Sequence, residues 1–135
     1  MRILLILPAA LLAACVTKRE MRDLPSDAGA AKTYDAPIDK VKRACEDVMA
    51  ADSWKKNESD KDTHYVEPKV YQIIGAQNLS SGTAGWRLRI RIEDQGNQCT
   101  VRVVVRNKID SREAGNTETV LAEDLQKKIA ARLAK

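Results

Sequence analysis

Three cysteines, one histidine and a run of alternating arginines are the residues in this 135-residue chain with chemistry to offer. His64 is the single histidine, and it lies in a polar stretch beside Asp60 and Asp62, where a solvated surface position is expected. A nucleophilic triad needs a serine or cysteine held against that imidazole and a third group to orient it. Cys45 and Cys99 fall on apolar faces and are badly placed for such a role. No histidine-plus-carboxylate or Cys-x-x-Cys spacing suggests a metal. Paired acids at Glu93–Asp94 and Glu123–Asp124 sit where turns and helix surfaces commonly carry solvent-facing charge. The pattern therefore argues against an enzyme, and no metal or non-covalent cofactor is expected.

The arginines are more specific. Arg87, Arg89 and Arg91 alternate with Leu88, Ile90 and Ile92, and Arg102 and Arg106 fall on the polar side of a second alternating run. Guanidinium forks suit phosphate and carboxylate bidentately. A hairpin turn centred on Gln95 and Gly96 would put Ile92 opposite Cys99 and Arg89 opposite Arg102. Like charges opposed across a sheet destabilise it, so such a face needs acidic neighbours or an anionic partner. Arg87, Arg89, Arg91, Arg102 and Arg106 are thus candidate contacts for an acidic protein patch, a lipid phosphate or an anionic envelope polymer. The alternative is a solvated basic face screened by salt.

The third cysteine stands at the end of an apolar run. Arg2 precedes Ile3 to Leu12, interrupted only by Pro8, which is a signal-peptide layout. At about ten residues the run is roughly half the ~20 that a spanning helix needs. Its last residues, Leu12-Ala13-Ala14-Cys15, resemble the lipobox of bacterial lipoprotein precursors. That resemblance implies cleavage before Cys15, a diacylglycerol on its thiol and an acyl chain on its new amino terminus. Two or three chains on one residue hold a small domain stably on a bilayer, where one chain would not. The alternative is general signal-peptidase cleavage after Ala14, but the position two before that cut is Leu12, which is large. Val16 follows the cysteine. By resemblance to the sorting rule of enteric bacteria, in which Asp there retains a lipoprotein in the inner membrane, the expected destination is the outer membrane, facing the periplasm.

After a signal peptide at 1–14, the remainder suffices for one domain with one core. Its 23 basic and 19 acidic side chains leave a formal charge of +4, with no like-charge block that would argue for nucleic acid. Residues 15–35 have few apolar side chains and the turn-prone tract Pro25 to Gly29, and read as a lipid-anchored flexible tether. Such a tether would span roughly 25 Å, from ~5.5 Å times the square root of its length.

Residues 36–135 form the expected folded domain. Lys32 to Tyr34 offer a short edge strand before it. Ile38, Val41, Cys45, Val48 and Met49 recur at helical spacing after Pro37. A short strand is expected near Trp54 to Asn57, and the tract from His64 to Val66, cut off by Pro68, reads as loop. Strands follow over Lys69 to Leu79, Trp86 to Glu93 and Cys99 to Arg106. A final helix carries Leu121, Leu125, Ile129 and Leu133 at i to i+4 steps. The economical arrangement is an α+β two-layer sandwich, with two helices on one face of a three- or four-stranded antiparallel sheet. In element order it resembles helix-on-sheet domains of small bacterial envelope lipoproteins, including accessory subunits of outer-membrane assembly machines.

Cys45 and Cys99 both fall on buried faces, in a compartment that oxidises thiols. Paired, they would close a loop of about 55 residues, worth roughly 4 kcal/mol in the chain-entropy model. Unpaired, they are small hydrophobes. The function expected is a membrane-anchored, non-enzymatic interaction or accessory module that binds an envelope protein or anionic component. The alternative is a periplasmic binding domain for an anionic lipid or small ligand.

Overall fold

Two strands of period-two residues make the centre of the sheet in the computed structural model, which describes residues 17–56, 63–67, 70–78, 85–108 and 115–135. The elements are α1 (Lys18–Arg22), β1 (Ala31–Tyr34), α2 (Ile38–Ala51), β2 (Lys55–Lys56), β3 (Thr63–Glu67), β4 (Val70–Asn78), β5 (Gly85–Asp94), β6 (Cys99–Asn107) and α3 (Asn116–Leu133). Leu88, Ile90 and Ile92 of β5 share one face with Val101, Val103 and Val105 of β6, as their alternation demands.

The register differs from the sequence expectation by two residues. Ile92 pairs with Val101, Ile90 with Val103 and Leu88 with Val105, while Cys99 faces Asp94. The cause lies in the turn, which closes over Gln95 to Gln98 through a Gln95 N–H to Gln98 O bond of 2.9 Å. Asp94 Oδ1 accepts the Gly96 N–H at 2.9 Å, and Gly96 takes a φ of +92° that suits glycine. Moving the turn centre by one residue slides the pairing by two and leaves every side chain on its expected face. Arg89 therefore lies opposite Val104, not Arg102, and the opposed arginines are Arg91 with Arg102 and Arg87 with Arg106.

All described strand pairs are antiparallel, in the order β1, β6, β5, β4, β2, with β3 also on β4. The sheet is thus five strands wide, not three or four. The outer edge of β4 is shared, with β2 beside Gly75 and Ala76 and β3 beside Val70 to Ile73. β3 replaces the loop expected around His64. It stops at Glu67, and the residue before a proline favours extended backbone, so Pro68 ends a strand without forbidding one. The stretches 79–84 and 109–114 and the side chain of His64 lie outside what is described.

Both long helices pack on the face carrying Tyr71, Ile73, Leu88, Ile90 and Ile92, which gives the expected α+β sandwich. α2 buries Val41, Ala44, Cys45, Val48 and Met49; α3 buries Leu125 and Ile129, with Leu121 and Leu133 partly covered. Tyr34 joins β1 to α3 by donating its hydroxyl to Gln126 Oε1 at 2.7 Å and to the Gln126 carbonyl at 3.0 Å. On the opposite face α1 forms a partial third layer, with Met21 packed on Ile74 and Val104.

Cys45 and Cys99 are both buried and both free thiols, so the paired alternative is not what the structure contains. Each fills core volume as a small hydrophobe, in the cluster with Val41 and Val101. Burial pushes the Cys45 thiol up to about 12, helped by Glu46 and Cys99, and burial chiefly pushes the Tyr34 hydroxyl up to about 12 as well. These groups ionise in the unfolded chain near 9.0 and 10.0, before they do in the folded one. The unfolded state therefore loses protons first, and stability should fall as pH rises from about 9 toward 12. Urea midpoints across that range should decline, and Cys45→Ala should decline less steeply; a flat profile in the parent chain would contradict the buried neutral thiol.

Candidate functional site

The arginine face is the chemically distinctive surface, and residues 17–30 of the chain itself cover much of it. Arg89 has no exposed surface. Its Nη1 donates to the Leu24 carbonyl at 2.7 Å and its Nη2 to the Pro25 carbonyl at 2.8 Å. Arg102 Nη1 donates to Asp27 O at 3.1 Å and Gly29 O at 2.9 Å, and Gln72 Nε2 to Arg22 O at 3.2 Å. Five carbonyls between Arg22 and Gly29 are thus answered by three side chains of β4, β5 and β6.

Local sequence explains why this segment folds. Thr17 and Glu20 stand at capping-box spacing, and Thr17 Oγ1 accepts the Glu20 N–H at 3.1 Å. The single turn that follows aims Met21 into the sheet, fully buried against Ile74 and Val104, with Leu24 and Ala28 beside it. Pro25 and Ala28 close a turn by a 3.0 Å backbone bond. Gly29 then takes φ +85°, where a Cβ would come within 2.6 Å of the Val103 carbonyl oxygen. The flexible tether expected over 15–35 is therefore, from Thr17 onward, a docked segment running into β1. Its low apolar content hid this, because sheet guanidinium groups meeting its backbone supply much of the attachment.

The same contacts revise the arginine candidates. Arg89 is committed to backbone carbonyls and has no surface left for an external anion, while Arg102, half-buried, gives its Nη1 to two backbone carbonyls. Arg91 is buried, with its Nε 3.8 Å from a Glu93 carboxylate oxygen. Arg87 and Arg106 are half-buried, and Arg106 Nη1 donates to the Val105 carbonyl at 3.3 Å. Burial first, and then the neighbouring Arg91, Arg106 and Arg102, together lower the Arg89 guanidinium to about 10. It remains cationic at neutral pH, held by two charge-assisted bonds at the centre of the face. Cys15, the expected lipidation site, lies outside the described residues. Among the described residues no group of three or more His, Cys, Asp or Glu side chains gathers as a metal site.

Removing one buried charged partner leaves the other side's acceptors without donors, at a cost of about 2–3 kcal/mol. Arg89→Ala should lower stability by that order and release the segment, so that trypsin cuts after Lys18, Arg19 and Arg22 faster than anywhere in the sheet. Unchanged cleavage there would mean that Met21 alone holds it. The two thiols give a separate check: in the folded chain at pH 8 neither should react with iodoacetamide, and both should react once the chain is unfolded without reductant. Failure to react after unfolding would reveal a disulfide. No protein-family model matches the chain, and a search of curated proteins found no match.

Proposed function

We propose that the chain is a lipid-anchored, non-enzymatic accessory module of the cell envelope, held at the periplasmic face of the outer membrane through Cys15 with its domain close against the bilayer. The observation that carries this reading is the docking of residues 17–30 on the sheet, in a segment whose first capping residue, Thr17, stands two positions after Cys15 in the sequence. Two residues of fully extended chain span about 7 Å. An acylated Cys15 would therefore keep α1 at the level of the lipid head groups, where a free tether would let the domain drift a domain's width away.

The acyl chains supply the attachment, and the protein supplies the orientation. α1 carries Lys18, Arg19 and Arg22 against Glu20 and Asp23, and Arg19 and Arg22 lie 3.8 and 3.9 Å from Asp23 carboxylate oxygens. That leaves one net positive charge, worth about 1 kcal/mol near an anionic surface. It is too little to anchor a domain and enough to favour this face toward the membrane. A segment clamped by Arg89 and Arg102 makes the anchor part of the folded body, so a partner would meet the domain in one fixed orientation.

In cells expressing the precursor, labelled palmitate should enter the chain, and the chain should sediment with outer-membrane fractions. Cys15→Ser should abolish labelling and move the protein into the soluble periplasmic fraction. Sedimentation that survives this substitution would overturn the lipid anchor.

A further inference from the structure

On its polar face the sheet is built in rows: Gln72, Arg91 and Arg102, then Ile74, Arg89 and Val104, then Ala76, Arg87 and Arg106. Arg89 and Arg102 are diagonal neighbours in this array, within reach of one group for side chains of their length. Residues 17–30 lie over both, yet every acceptor they bring is a neutral backbone carbonyl, of Leu24, Pro25, Asp27 and Gly29. The positive charge is hydrogen-bonded but not neutralised. Arg91, Arg106 and Arg102 all act to disfavour the charged form of Arg89, so like charges are crowded around it.

The segment is also an incomplete ligand. The Nε atoms of Arg89 and Arg102 are buried, and among the described residues neither has a hydrogen-bond acceptor. A buried donor left unmade carries its desolvation cost with nothing to offset it. The segment's hold through side chains is slight in turn: Met21 alone is fully buried, with Leu24 and Ala28 partly covered. An anion could accept at Nε and Nη together, through charge-assisted bonds roughly twice as strong as those to neutral groups. A carboxylate offers one such two-oxygen edge, whereas a terminal phosphate has three free oxygens and can take two guanidinium forks at once.

We propose that residues 17–30 are a displaceable cover over a phosphate-binding site, in which a terminal phosphate group lies between the Arg89 and Arg102 guanidinium groups and takes the place of the Leu24, Pro25, Asp27 and Gly29 carbonyls. The phosphate belongs to a soluble compound or to a lipid head group, whose chemistry at the two arginines is the same. Docking of the segment and binding of the anion exclude each other, so the apparent affinity is reduced by the fraction of chains that stand open. The site goes beyond the accessory-module reading and does not depend on lipid at Cys15. With that anchor in place, opening replaces the docked segment by a tether of roughly 20 Å, from ~5.5 Å times the square root of its length.

The test uses the purified full chain in neutral detergent at constant ionic strength, with pyrophosphate as the soluble probe and phosphatidic acid in mixed micelles as the lipid probe. Binding of pyrophosphate alone assigns the site to soluble phosphates, of phosphatidic acid alone to a head group, and of both to the chemistry they share. As the probe saturates, amide exchange at Met21, Asp23 and Ala28 should accelerate at least tenfold while that of the β5 amides stays unchanged. Met21→Ala loosens the cover and should tighten binding at least tenfold, with Leu24→Ala in its place if the first variant is unstable. Arg89→Gln and Arg102→Gln should each weaken binding at least tenfold. Failure of both probes to bind, binding that leaves exchange in the cover unchanged, an affinity that neither loosening variant raises, or binding that survives both arginine substitutions would overturn the proposal. Equal binding of succinate would overturn the assignment to phosphate.

Discussion

A guanidinium buried in the middle of a sheet face must find acceptors, and the strands cannot supply them because their own carbonyls are spent in the ladder. Arg89 occupies that position, flanked by Ile74 and Val104 in its row and by further arginines in the rows on either side. Its solution is the backbone of residues 24 and 25, presented by a short helix and turn that would have little reason to order by themselves. The dependence runs both ways. Met21 packs on Ile74 and Val104, the two residues that flank Arg89 across the sheet, and the guanidinium holds the Leu24 and Pro25 carbonyls that follow Met21 in the chain.

This mutual arrangement governs what the rest of the molecule can do. The helix face of the sheet is an apolar core under α2 and α3, and the clamped segment covers much of the opposite face. Gly29, at the end of that segment, is also where the chain leaves the sheet edge, which ties the length of β1 to the way the clamp finishes. The clamp thus begins only two positions after Cys15 in the sequence, and its end at Gly29 sets how far β1 runs along β6. Surface ion pairs such as Arg132 with Asp47 and Lys128 with Asp52 tie the two long helices together, but exposed pairs of this kind contribute little to stability.

Much of the fold was legible because a period of two over Trp86 to Glu93 and Cys99 to Arg106 admits one assignment of faces. The helices were equally plain from Val41, Cys45 and Val48 and from Leu125 and Ile129. Register was not, since a slip of two preserves every face and only the turn's own bonding, at Asp94 and Gly96, decides between the alternatives. The site was the least legible part. Five arginines on the polar phase of two strands looked like a surface, because alternation reports which face a residue takes and not what covers it. The capping-box spacing from Thr17 to Glu20, followed by Met21, was the one signal that the covering element was close by in the chain.

Amide hydrogen exchange across residues 17–30 of the full chain tests this account most directly. The Met21, Asp23 and Ala28 amides donate within the clamped segment, to Thr17, Arg19 and Pro25 carbonyls respectively. If guanidinium groups hold that backbone on the sheet, these three should exchange far more slowly than an unstructured chain and approach the protection of the β1 amides. Exchange at random-coil rates would show that residues 17–30 are a free linker, and would contradict both the clamp and the close apposition to the membrane proposed from it.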